Sequence, residues 1–243
     1  MKFITKKRRR KIFNYCLASI LSITLIVLAK LESDSDYKAA QLRFKRMSAE
    51  LSNLDFVCTP DAGELKWFHP VTKVHLFSDP FRQPYPTKEL RNVCKGSFKN
   101  KEIFVFDYKY GRPYRTRRYR SYVHKQTVAA FRFPEKKFSD FYLIPTNFIE
   151  ERLIWGDGNI DIPQRPNFSK FFRLGAVDKK STVALFENPK LTDFFEKHRE
   201  WAVEGVGEWI IIYQPDKRID PDELQHFINQ TSEIAEVMQP ESN

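Results

Sequence analysis

FVFDYKYGRPYRTRRYRSYVHKQTVAAF, residues 104–131, decides how this chain is read. Apolar and polar residues alternate on either side of a Gly-Arg-Pro break, the pattern of two half-buried strands joined by a turn. KEIFVFDYKY (101–110) gives one strand and YRSYVHKQTVAAFRF (119–133) the other, so the pair is expected as a long antiparallel hairpin with GRPYRTRR at its tip. Seven Lys or Arg and no acid lie between Lys109 and Lys125. Tyr108, Tyr110, Tyr114, Tyr119 and Tyr122 are threaded among and beside them. Two uses suit that chemistry. Guanidinium groups stack on cross-strand rings in a solvated hairpin, or Arg112, Arg115, Arg117, Arg118 and Arg120 together meet an anionic surface.

Outward from the hairpin, further strands are expected at 65–69, 73–77, 140–145 and 168–176, with 78–90 as a proline-rich loop. VALFENPKLTDFFEKH (183–198) reads as helix on both sides of Pro189, and 147–156 as a short helix. WAVEGVGEWIIIYQP (201–215) reads as a hairpin turned at Gly205–Gly207, with Glu204 and Glu208 solvated beside the turn. The last element, 220–238, is an amphipathic helix with Asp220 as its N-cap and Pro221 in the first helical position. Strands and helices mix without a βαβ rhythm. The expected class is α+β, a single N-terminal transmembrane helix followed by one compact domain with a mostly antiparallel sheet and a C-terminal amphipathic helix.

The formal charge of +10 suggests nucleic acid until it is mapped. Residues 1–30 carry eight Lys or Arg and no acid, which leaves 33 basic against 31 acidic residues in the remainder. Most of the excess is therefore an N-terminal address. Within the remainder, 91–136 has a net charge of +10 and 186–243 a net charge of −8; either this polarity orients the domain at a charged surface, or the two regions face each other and partly cancel. A nucleic-acid platform is disfavoured, and anionic headgroups or envelope proteins are the expected partners beside the bilayer itself.

KKRRRK (6–11) runs into IFNYCLASILSITLIVLA (12–29), eighteen residues without charge, Pro or Gly. At about 1.5 Å per residue such a helix spans roughly 27 Å, the thickness of a bilayer core. With the basic cluster wholly on its N-terminal side, residues 1–11 are expected in the cytoplasm and the domain outside it. A signal peptide cleaved after Ala29 is the alternative. A juxtamembrane helix follows within 30–55, on Ala40, Phe44, Met47, Leu51 and Leu54, and the domain occupies 56–243. Cys16 lies in the apolar run. Cys58 and Cys94 are candidates for a disulfide outside the cytoplasm, with two buried thiols as the alternative.

The order Gly96, FDYKY (106–110), QTV (126–128), FYLIP (141–145), DI (161–162), FS (168–169), LF (185–186), VEGVG (203–207) and Tyr213 resembles a family of bacterial membrane-anchored proteins with no assigned activity. The resemblance covers about 94–238 and implies a membrane helix followed by one compact domain. It brings no catalytic residues.

Chemistry-bearing motifs are sparse. GDGNIDIP (156–163) begins like a calcium loop but has Ile162 and Phe168 where Gly and Glu are needed. His69, His75, His124, His198 and His226 have no metal-ligand spacing, and no cofactor or nucleophile motif occurs. Asp107, an acid among strand aromatics, is expected in an ion pair with Arg118 or Arg120. The expected role is non-catalytic binding or scaffolding at the membrane surface. The alternative is a membrane-anchored enzyme, hydrolase-like, with a site too dispersed to read. Oligomeric state is not indicated.

Overall fold

The computed structural model describes residues 37–61, 87–112, 122–148 and 160–238. The chain divides into two units, residues 1–45 and 46–243. Of the first, residues 37–45 are described and are helical, with Gln41 donating to the Tyr37 hydroxyl. The expected transmembrane segment 12–29 lies outside the described residues. Among those described, no helix is long and apolar enough to cross a membrane.

The second unit is built on an eight-stranded sheet in the order β1-β2-β3-β4-β8-β7-β5-β6. Its strands are β1 (Val57–Thr59), β2 (Thr87–Phe98), β3 (Lys101–Arg112), β4 (Tyr122–Arg132), β5 (Phe138–Pro145), β6 (Phe172–Ala176), β7 (Ala202–Gly207) and β8 (Trp209–Tyr213). Every pairing among them is antiparallel. The class is α+β, and residues 104–112 and 122–131 pair antiparallel as expected, in register from Ile103↔Phe131 to Arg112↔Tyr122; the expected tip lies outside the described residues.

Strand periodicity puts alternate residues on opposite faces. One transverse row runs Cys58, Cys94, Val105, Ala129, Ile212, Val203, Leu143, Leu174 across all eight strands. From Cys94 onward it is fully or almost fully buried. Helices pack on this face: Met47 and Leu51 of helix 46–52, Phe168 of Pro166–Phe171, Phe186 of Lys179–Phe186, Leu191 and Phe195 of Pro189–Lys197, and Phe227, Ile228 and Ile234 of Leu224–Val237. The opposite face carries a second apolar cluster that includes Phe104, Phe106, Tyr108, Val128, Ile211 and Tyr213. The central strands are thus buried on both sides, which explains the apolar run Trp209–Tyr213.

Several expectations need correction. Thr87–Leu90 belong to β2 rather than to the expected proline-rich loop 78–90. The reason is a β-bulge: the register slips one residue between Arg91 and Cys94, and Asn92 takes a left-handed φ of 53°. An extra residue puts the two halves of the strand out of phase, so no single alternation survives. Residues 168–176 are not one strand. Pro166 starts a helix that ends at Phe171, and β6 begins at Phe172; the stacked Phe168 and Phe172 rings, 5.3 Å apart, lie on either side of that junction. Helices do flank Pro189, because Asp178 and Asn188 each cap the N–H groups of a new first turn. At the last element Asp220 precedes a short 3-10 turn, Pro221–Glu223, and makes no side-chain cap bond. The 201–215 hairpin is confirmed, with its turn at Gly207–Glu208. The expected pieces 65–69, 73–77 and 149–156 lie outside the described residues, as do His69 and His75.

Candidate functional site

Cys58 and Cys94 face each other as register partners on β1 and β2, with Cα atoms 3.9 Å apart, and are joined by a disulfide. The bulge next to this staple positions a polar cluster. Asn92, turned by its left-handed backbone, donates through Nδ2 to Asp107 Oδ2 at 2.7 Å. Thr127, the β4 partner of Asp107, donates to Oδ1 at 3.0 Å. Arg218 donates to Oδ2 through Nη2 at 3.0 Å and Nε at 3.3 Å. Asp107 is 6% exposed. Accepting from three side chains, this carboxylate serves as an acceptor hub.

The hub pins the segment after β8 to the sheet. Thr127 N donates to the Lys217 carbonyl, and Ile219 N donates to Thr127 Oγ1. Asp216, also in a left-handed backbone, lies 2.5 Å from His124 Nδ1, and its N–H donates to Gln126 Oε1. Asp107 thus forms an ion pair with Arg218; the expected partners Arg118 and Arg120 lie outside the described residues.

A second buried acid lies on the opposite face of the sheet. Glu204, expected to be solvated beside the turn, is 0% exposed. The turn is confined to Gly207–Glu208, so Glu204 is an interior strand residue, opposite Ile211 on β8 and Tyr142 on β5. The Tyr213 hydroxyl donates to Oε1 at 2.6 Å, while Oε2 has no hydrogen-bond partner. Burial pushes this carboxyl up to about 8, opposed by the Tyr213 hydrogen bond. Near neutral pH it is mostly protonated.

No family model matches the chain. No curated protein matches it either. Among solved structures, the crystal structure of the mycobacterial trehalose monomycolate transport factor A, TtfA, is similar with a TM-score of 0.46 and 10% sequence identity, over 83% of this chain and 98% of that one. A likeness that distant bears on neither activity nor ligand.

Of the predicted site residues, Cys58 and Cys94 are brought together. Arg115, Arg117, Arg118 and Arg120 lie outside the described residues, and Arg112 is described only as the end of β3. Lower in the hairpin Lys109 and Lys125 are directly opposed. Glu89 on β2 offsets them, 3.7 Å from Lys109 Nζ and also paired with Arg91. Among the described residues no group of three or more His, Cys, Asp or Glu could hold a metal ion. Sequence reasoning missed Glu204 and Arg218. The available signal for Glu204 was its place in unbroken strand parity with Ala202.

Proposed function

We propose that this chain is a single-pass membrane protein whose α+β domain lies outside the cytoplasm and binds or scaffolds at the membrane surface without catalysis. The observation that carries the proposal is the Cys58–Cys94 disulfide. Such bonds form and persist in oxidising compartments and are rare in the cytosol. Its position agrees with the charge order of KKRRRK before the apolar run 12–29. The non-catalytic part is supported by how the buried ionisable groups are used: Asp107 ties the 214–219 segment to the sheet, and Glu204 is enclosed against Tyr213. The enzymatic alternative would draw on Glu204, since shifted carboxyls gather at active sites. A group with no exposure gives a substrate nothing to reach.

Thiol trapping in growing cells tests the placement. In a Cys16→Ser variant, rapid acid quenching and a bulky maleimide are expected to modify neither Cys58 nor Cys94. Reduction before labelling adds two adducts. Modification of both without reductant refutes it.

A further inference from the structure

At the start of β5 the strand bulges, its register with β7 slipping between Phe138 and Phe141. The gap beneath it, against the Lys179–Phe186 helix, is a cleft of about 260 Å³. Its walls are fixed. The Asp178 carboxylate caps Lys180 N and Ser181 N and accepts from the Ser181 hydroxyl, while Asp178 N donates to Ser139 Oγ. Phe141 packs edge-on against Phe186 at 5.6 Å, and Phe138 against Phe133 at the same distance.

We propose that this cleft binds a single-chain amphiphile with an anionic head, the chain lying among Phe138, Phe141 and Leu185 and the head meeting Lys136 and Lys137. Two features point there. The lining is predominantly apolar, which disfavours a free inorganic anion. Its two charged residues are both lysines. Burial, and after it the nearby charge of Lys101, lowers the pKa of Lys136. Glu135 and Asp140 are exposed and do not line the cleft. A cavity of about 150 Å³ holds benzene, so this one takes a chain segment of roughly ten heavy atoms. The inference rests on the binding role proposed above, and on neither the membrane anchor nor the side of the membrane.

The test is photolabelling of the full chain in neutral phosphatidylcholine vesicles with a decanoate that carries a terminal diazirine, mapped by peptide mass spectrometry. Label is expected on 136–141 and 182–185. Excess decanoate or decyl phosphate displaces it, and excess decanol does not. Competition by decanoate alone narrows the head to a carboxylate. A Lys136→Gln/Lys137→Gln variant loses about fivefold or more of the labelling at these peptides, the combined effect of two charge contacts. Leu185→Trp fills the cleft and removes the label, with circular dichroism and the Cys58–Cys94 bond unchanged. Absence of enrichment at these peptides, or equal displacement by decanol, overturns the proposal. A domain found in the cytoplasm would leave the labelling result standing, and failed labelling would leave the topology standing.

Discussion

Glu204→Gln isolates the energetic effect of the buried carboxyl. The folded-state pKa, about 8, lies above the ordinary value of 4.5, so the folded protein keeps a proton that the unfolded chain releases. The contribution of this group is fully present below about pH 4.5 and is lost as pH rises toward 8. It reduces stability by at most roughly 5 kcal/mol over that window, at about 1.4 kcal/mol per pH unit. Gln keeps the shape and an acceptor for the Tyr213 hydroxyl but cannot ionise. Wild type and E204Q should therefore lie within about 1 kcal/mol of each other at pH 4.5 and diverge steadily, with E204Q the more stable by about 2–5 kcal/mol at pH 8. The measurement is urea unfolding of the full chain in a mild non-ionic detergent without reductant, at half-unit steps from pH 4.5 to 9. Trp201 and Trp209, both buried, supply the fluorescence signal. Other groups titrate in the same range, but the difference between the two proteins removes them. Parallel curves, or a wild type that gains on E204Q as pH rises, would refute the assignment.

Three further outcomes follow from the same packing. Asp107→Ala strands the donors of Asn92, Thr127 and Arg218, so it should cost about 2–4 kcal/mol and speed hydrogen exchange at Ile219 N, which reports on Thr127. Replacing Cys58 and Cys94 with Ser releases a connection between residues 36 apart and should lower stability by about 3–4 kcal/mol in urea, with reductant then having no further effect. A Cβ at Gly205 would lie 2.1 Å from the Phe141 ring, so Gly205→Ala should lose about 1–3 kcal/mol by thermal unfolding, and Phe141→Leu in the same chain should return part of it.

What could be read in the sequence divides along physical lines. The β3–β4 hairpin was legible because its two parities keep one phase: Ile103 and Val105 pack toward the helices, Phe104 and Phe106 toward the other cluster. The same rule failed on TKELRNVCKGSF, where the bulge at Asn92 changes phase midway. The Pro189 helices were legible because capping is local, set by Asp178 and Asn188 a few residues away. Charge placement was not. Glu204 looked solvated because VEGVG resembles a turn, whereas a strand covered on both faces gives it no water. Asp107 also pairs with Arg218, 111 residues away, a partner supplied by a fold that returns β8 beside β4, while Arg118 and Arg120 lie outside the described residues. The cleft depends on the bulge in β5 meeting a helix some forty residues later, a coincidence no local pattern records.

The placement of the domain outside the cytoplasm is tested most directly by paired reporter fusions after Asn243. One reporter is active only when exported, the other only in the cytoplasm. The exported reporter should be active and the cytoplasmic one silent. The opposite pair would contradict the placement and, with it, the compartment in which Cys58 and Cys94 are joined.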